Sequence, residues 1–307
     1  MHMNDAELPR WVGQSELDVA RYDHCVEQAE NRLVYATSWF LRLMAGTWDV
    51  LVSGDYRYVM PVPHRRKWGI AYVYQPVFAQ QLGIFPSPPP ALRKEFFRSL
   101  AARFRYVQYQ TGEPGDMEQA KGFAARELHT RILSLTSPYD IVVKGYDDNV
   151  TRNLKKAVQN QVIVAEESDP ALFFHLQKFS KKIPVPGKSW KRFRYLMEAT
   201  LPTGTGRLFT ARTPQGEILT AAFFLVWHNQ MCYMAACNSP RGRNLRGGFA
   251  LLDHVIRLHA GSNLDFDFEG SSVEGVDRFF ASFGAVKKPY FVFTLNRLPA
   301  LIRLIKK

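Results

Sequence analysis

The stretch LDFDFEGSSVEGVDRFFASFGA (residues 264–285) places Asp265, Asp267 and Glu269 at every second position, alternates them with Leu264, Phe266 and Phe268, and then stops on Gly270. A period of two marks a strand, with the carboxylates on one face and the apolar residues on the other. Like charges along one face repel, and burying them unpaired costs several kcal/mol. That face is therefore wet, matched by cations, or used. Beyond Gly270 the spacing changes: Val276, Phe279, Phe280 and Phe283 recur at helical steps, and Gly284 stands where a helix ends. The stretch reads as strand, tight turn and short amphipathic helix. Its carboxylates fall at the carboxyl end of a strand and beside a helix N-terminus, where open α/β sheets place their sites.

Working outward, RLFTARTPQGEILTAAFFLVWHNQMCYMAAC (207–237) reads as three strands with turns at Pro214-Gln215-Gly216 and His228-Asn229. The loop NSPRGRNLRGG (238–248) leads into the helix FALLDHVIRLHA (249–260), and KPYFVFTL (288–295) is read as a closing strand of the same unit. A helix is expected near 147–160. The first half follows the same order less clearly. Helical spacing over 15–46 precedes WDVLVSGDYRYVMPVP (48–63), two strands joined at Ser53-Gly54-Asp55, followed by a basic loop HRRKWG (64–69) and a strand around IAYVYQPVF (70–78). A helix from Ala91 to Arg103 and a strand RYVQYQ (105–110) complete it. The expectation is an α/β fold with mixed sheets, in two similar units at 1–140 and 141–307.

A length of 307 residues agrees with two domains of about 150 residues each. The composition, 46% hydrophobic and 22% charged, is that of a globular protein rather than a disordered one. The longest apolar run, Ile218–Trp227, is too short for a membrane span, so no transmembrane segment is expected. The first residues show no secretory pattern. Three cysteines, Cys25, Cys232 and Cys237, form no paired motif, and the cytoplasm is the expected compartment. A formal charge of +12 favours anionic partners such as nucleic acid, phosphorylated cofactors or an acidic membrane surface.

Arg241, Arg243 and Arg246 surround Gly242, Gly247 and Gly248 just before a helix, an arrangement that offers backbone N–H groups and charge to a phosphate or, equally, forms a solvated turn. The helix after Tyr146 sets Val150, Leu154, Ala157 and Val158 on one face and Arg152, Lys155, Lys156 and Gln159 on another. That cationic stripe either grips a phosphate-bearing substrate or is simply the wet side of an amphipathic helix. In KKIPVPGKSWKRFRYL (181–196), Lys181, Lys182, Lys188, Lys191, Arg192 and Arg194 interleave with Trp190, Phe193 and Tyr195; this is a nucleic-acid surface or a loop and helix with core aromatics. The tail NRLPALIRLIKK, with Leu298, Leu301, Ile302 and Ile305, can lie on an acidic membrane or pack on its own domain. His254 and His259 lack metal-ligand spacing, and no zinc pattern, P-loop or nucleophile elbow is present.

The order of elements resembles the acyl-CoA N-acyltransferase fold of the GNAT superfamily. The duplicated plan, with YDDNVTRNLKKAVQNQVIV (146–164) and FDFEGSSVEGVDRFFASFGA (266–285), resembles the Fem-type (FemAB-like) tandem transferases, many of which add amino acids from aminoacyl-tRNA to peptidoglycan precursors. YVYQPVFAQQLGIF (72–85) resembles a bacterial branch of that group. The resemblance implies two tandem GNAT-like domains, with the donor site in the second. It implies transfer of an acyl or aminoacyl group from acyl-CoA (acetyl-CoA included) or aminoacyl-tRNA to an amine acceptor, with no metal. Arg243, Arg246, Gly247, Gly248 and Ala250 would hold the donor's phosphates, and the backbone of the strand around Tyr233 would polarise its carbonyl. Arg152, Lys155 and Lys156 would touch the acceptor or a tRNA, and peripheral contact with an acidic membrane or a peptidoglycan precursor is a further implied partnership. Glu269, with Asp267 as helper, would accept the amine's proton, unless Glu269 pairs with an arginine or caps the following helix. Two positions depart from the superfamily pattern: Leu245 replaces a Gln or Arg of the cofactor loop, and Phe280 replaces a tyrosine acid and is assigned to the core. The rival reading is a non-catalytic GNAT-fold protein binding RNA, a nucleotide or a cell-envelope polymer through its basic surface.

Overall fold

The computed structural model describes residues 8–179, 185–270 and 273–299. The chain forms two compact units, Met1–Leu128 with Pro289–Lys307, and His129–Lys288. This division differs from the one expected at residue 140. Lys181, Lys182, Leu301, Ile302 and Ile305 lie outside the described residues.

The first unit contains β1 (Arg10–Val12), α1 (Val19–Gln28), α2 (Ser38–Met44), β2 (Trp48–Ser53), β3 (Tyr58–Lys67), β4 (Ile70–Val73), α3 (Pro90–Arg103), β5 (Tyr106–Thr111) and α4 (Asp116–Gln119). β6 (Ala124–Ser134) carries the chain across the division. The second unit continues with α5 (Tyr139–Val142), α6 (Asp148–Gln159), β7 (Ile163–Glu167), α7 (Ala171–Gln177), α8 (Gly187–Thr200), β8 (Gly206–Arg212), β9 (Ile218–Trp227), β10 (Gln230–Asn238), α9 (Pro240–Asn244), α10 (Gly247–His259), β11 (Asp265–Asp267) and α11 (Glu274–Ala281). β12 (Val286–Asn296) then returns to the first unit.

The two units share one strand plan. In the first, β1, β2, β3 and β4 pair antiparallel in sequence, β4 runs parallel to β5 across the crossover helix α3, and β12 pairs antiparallel with β5. In the second, β7, β8, β9 and β10 pair antiparallel, β10 runs parallel to β11 across the crossover helix α10, and β6 pairs antiparallel with β11. The last strand, expected to close the second unit, pairs with β5 through Phe291–Asn296, and its residues from Pro289 onward belong to the first unit. The architecture is α/β with mixed sheets, arranged as two tandem copies of this plan.

The core of the second unit is aromatic. Phe266 and Phe268, from the apolar face of the decisive stretch, are 0% and 1% exposed and pack with Phe224, Phe280 and Phe283. The Phe268 and Phe280 ring centroids are 5.0 Å apart. Burying each such side chain contributes about 1.5–3 kcal/mol. Leu251, Leu252, Val255 and Ile256 of α10 face the same core. Phe280 is thus a core residue, as the sequence implied.

Several local expectations are corrected. HRRK (64–67) is the end of β3, not a loop; the turn that follows uses positive φ at Trp68 and Gly69. The loop after β10 contains α9, capped by Ser239, whose Oγ accepts from the Gly242 N–H at 2.9 Å, and α10 begins at Gly247 rather than near Phe249. On α6, Val158 is 77% exposed, so the buried stripe is Val150, Asn153 and Ala157. Trp190 and Phe193 pack around Phe173 in α7, which makes these two α8 aromatics packing residues, while Tyr195 is exposed.

Candidate active site

The site follows from how β11 ends. Its parallel register with β10 covers Gln230↔Asp265, Met231↔Phe266 and Cys232↔Asp267. β10 continues from Tyr233 to Asn238 with no partner strand on that side among the described residues. A register shift between Tyr233 and Ala235 against β9 bends it at the same place. Parting strands leave backbone N–H and C=O groups open to a ligand, and a bulge beside a site re-aims them.

The carboxyl end of β11 is fixed by side chains. The Thr130 hydroxyl in β6 donates to Asp267 Oδ1, and that oxygen also accepts the Glu269 N–H at 2.8 Å. Thr130 Oγ1 in turn accepts the Gly270 N–H at 3.1 Å. This ring of bonds holds Glu269 at φ +63° and Gly270 at φ +23°, a left-handed turn that an unbranched residue tolerates only under constraint. Position 270 must be glycine, because a Cβ there would lie 2.1 Å from the His129 carbonyl oxygen.

The two carboxylates differ in partners. Burial pushes Asp267 up to about 6 against its bonds from Thr130 and the Glu269 N–H. Glu269 Oε1 is buried and has no hydrogen-bond partner among the described residues. Burial alone pushes Glu269 up to about 8. Among the described residues no arginine pairs with Glu269, and the N-cap position of α11 is Val273. An orphaned buried oxygen costs about 1–3 kcal/mol.

β6 contributes a second set of anchors. Arg131 donates to Asp277 of α11 through Nε at 2.8 Å and Nη2 at 2.7 Å, and His129 Nε2 lies 2.9 Å from the same carboxylate. Arg131 foremost, then His129, holds the Asp277 carboxyl well below the usual carboxylate range. These bonds tie α11 to β6 on either side of Thr130. His129, Thr130, Arg131 and Asp277 all escape sequence reasoning, because ARELHTRILS mixes polar residues on both faces and shows no clear period.

The loop leading into α10 is built in two parts. Gly242 and Gly247 serve packing against β9: a Cβ would meet the Leu219 carbonyl oxygen at 2.1 Å and Thr220 Oγ1 at 2.7 Å respectively. Gly248 has more room, 3.3 Å from Asn238 Oδ1. Arg246 adopts φ +67° at the N-cap of α10, and its Nε is buried without a partner among the described residues. The first-turn N–H groups of Gly247 and Gly248 have no intrahelical acceptor by construction of a helix start, and the helix dipole favours an anion there. Arg241 is turned to Glu217 in an ion pair, and Arg243 Nη1 donates to the Asn238 carbonyl at 3.0 Å. Ala250 continues the first turn through its N–H to the Arg246 carbonyl at 3.2 Å.

Tyr233 offers its backbone at the parting of β10 and β11, while its ring packs in the aromatic core 5.8 Å from Phe280. Arg152, Lys155 and Lys156 are exposed on α6, with no ion-pair partner among the described residues. Among the described residues no group of three or more His, Cys, Asp or Glu is placed to hold a metal ion, and no helix is long and apolar enough to cross a membrane.

No protein-family model matches the chain, and no curated protein is similar to it in sequence. Solved structures are similar in fold. FemX matches with a TM-score of 0.68 at 13% identity, over 97% of this chain and 100% of FemX. L-PGS from Bacillus licheniformis matches with a TM-score of 0.57 at 11% identity, over 96% of this chain and 95% of that one. The C-terminal domain of a protein described as a lysylphosphatidylglycerol synthetase, from Agrobacterium fabrum, matches with a TM-score of 0.58 at 13% identity, over 94% of each chain. The chain therefore has the Fem-like, GNAT-type fold across its length.

Proposed function

We propose that the protein is an N-acyltransferase that moves an acyl or aminoacyl group from an activated ester or thioester to an amine. The observation that carries this reading is Glu269: a half-buried carboxyl whose Oε1 is enclosed and without a hydrogen-bond partner among the described residues, held in a constrained turn where β10 and β11 part. The fold it shares with FemX and L-PGS supports the same class.

In the proposed reaction, the donor supplies an activated carbonyl carbon. Its phosphate groups lie at the N-terminus of α10, against the Gly247 and Gly248 N–H groups and Arg246, whose orphaned Nε fits an anion. The open backbone of β10 from Tyr233 onward donates to the carbonyl oxygen as charge develops on it. Glu269, ionised, accepts a proton from the attacking amine directly or through water. As the C–N bond forms, the donor's C–O or C–S bond breaks, and the donor leaves as its free alcohol or thiol after taking up a proton from Glu269 or from water. Asp267 positions Glu269 by accepting its N–H. The cationic face of α6, with Arg152, Lys155 and Lys156, suits a phosphate-bearing acceptor or the RNA part of an aminoacyl-tRNA donor. A cytoplasmic location and contact with a peptidoglycan precursor or an acidic membrane surface belong to the same proposal.

The test is product formation. Purified protein is incubated with acetyl-CoA or with charged tRNA and a panel of amines, and products are read by mass spectrometry. Acylated amine from one donor is expected, with the donor KM raised about tenfold in Arg246→Ala. RNA binding that weakens steeply with salt, and no product from either donor, would sink the enzyme reading in favour of a binding protein.

A further inference from the structure

The first unit holds a cavity of about 510 Å³ that the proposed transfer does not use. His64, Arg65, Arg66, Ala71, Arg103 and Phe104 line it, and no carboxylate is among the lining residues. Its construction begins with the end of β3, where His64 and Arg66 share one face of the strand by the period of two. The register sets Arg66 opposite Ala71 and His64 opposite Val73 on β4. The small Ala71 side chain leaves the space, and Phe104, just past the end of α3, closes it with a ring 5.8 Å from that of His64.

The cations are held at the cavity. Arg103 Nη2 donates to Asp49 Oδ2 at 2.6 Å while its guanidinium lies 4.3 Å from the Trp11 ring. A guanidinium has five N–H donors, so the anchored Arg103 keeps others to offer. His64 Nε2 lies 3.3 Å from Asp49 Oδ2, an ion pair when the ring is protonated, and it is buried without a hydrogen-bond partner among the described residues. His64 foremost, with Arg103, holds the Asp49 carboxyl below its ordinary range. Arg65, whose side chain leaves the opposite face of β3 by the same alternation, stacks on Tyr74 at 3.9 Å. Arg66 is exposed, and its side chain has no ion-pair or hydrogen-bond partner among the described residues.

Two arginines at one concavity, Arg66 and Arg103, with Asp49 behind it, create a positive potential that draws an anion. The planar fork of arginine matches phosphate oxygens, which accept two parallel N–H bonds. A bare phosphate would leave most of the space empty, since a volume near 510 Å³ falls within the roughly 300–1,000 Å³ of small-molecule sites. The floor of Ala71, Phe104 and the His64 ring suits a flat or apolar body.

We propose that this cavity binds a small phosphate monoester, with the phosphate against Arg66 and Arg103 and its ring-bearing organic group over Ala71, His64 and Phe104. The test is calorimetric titration of the full chain at low salt with phenyl phosphate and uridine 5′-monophosphate, alongside inorganic phosphate and the uncharged parents phenol and uridine. Saturable binding of at least one ester is expected, about tenfold or more tighter than inorganic phosphate and the parents. Arg66→Glu is expected to weaken it by about tenfold or more, and Ala71→Trp, which fills the floor, to abolish it. Arg66 is exposed and unpaired among the described residues, so its variant is expected to keep the wild-type circular dichroism and melting curve even if Ala71→Trp does not fold. No saturable binding of either ester, equal binding of inorganic phosphate, or wild-type affinity in Arg66→Glu would each overturn the proposal.

Discussion

Asp116 in the first unit, which is buried, and Glu269 in the second, half-buried with one oxygen enclosed, both have a raised proton affinity and are built in opposite ways. Asp116 is 1% exposed, with Oδ1 2.5 Å from Arg93 Nη1. Arg93 also donates through Nη2 to Ser87 Oγ at 2.6 Å and to the Pro88 carbonyl at 3.2 Å, and Ser87 donates to Glu113. Burial pushes Asp116 up to about 6, with Arg93 and Thr111 pulling against it. Glu269 is pushed up to about 8 by burial. A fully partnered buried acid is a fastener. An acid with an oxygen left unpartnered among the described residues, in a strained turn at a parting of strands, fits the proposed proton acceptor, and its cost falls on the rest of the fold.

The comparison breaks most decisively on the rate of reaction. Replacing Glu269 by Gln is expected to lower the transfer rate by about 10²–10⁴-fold and to remove a rise in kcat/KM with pH centred near 8, because only the ionised carboxylate accepts a proton. A rate-against-pH profile unchanged in the variant would return Glu269 to the structural class.

On stability the order reverses. Asp116→Ala strands the Arg93 guanidinium in the interior and is expected to cost about 3–5 kcal/mol in denaturant unfolding. Glu269→Gln is expected to be more stable than wild type above pH 8. Folded Glu269 holds its proton up to about 8 while the unfolded chain releases it near the ordinary value of 4.5, so wild-type stability falls as pH rises between those values. Chemical denaturation at pH 5 and pH 9 checks both signs; an equal loss in the two variants would erase the distinction.

A finer test sits between the two acids. Thr130→Val removes the hydroxyl that joins Asp267 to the Gly270 N–H, and is expected to cost about 1–3 kcal/mol. It should also lower kcat more than it raises KM, since it frees the turn that holds Glu269. Stability lost with kinetics intact would show that Thr130 only packs.

Sequence patterning reached one side of this site. The alternation of Leu264, Phe266 and Phe268 marked the strand and its buried face, and the stop at Gly270 pointed to Glu269, because period and turn chemistry are local signals. Thr130, His129, Arg131 and Asp277 escaped for a physical reason: β6 meets β11 and α11 across more than a hundred residues, and its residues are polar on both faces. The glycines of the loop before α10 look like a phosphate cradle, yet Gly242 and Gly247 are there for β9, a distinction only the close approach to Leu219 and Thr220 reveals. The basic run at 64–67 looked like a solvated loop, because nothing local says that Arg66 faces the small Ala71.

The strand exchange has a consequence for synthesis. β5 acquires its antiparallel neighbour, Phe291–Asn296 of β12, only after the whole of His129–Lys288 has been translated. On the ribosome the sheet of the first unit waits with an open edge while the second unit emerges, and an open edge is a template for pairing with other chains. Nascent chains stalled before residue 291 are the ones a chaperone would have to guard.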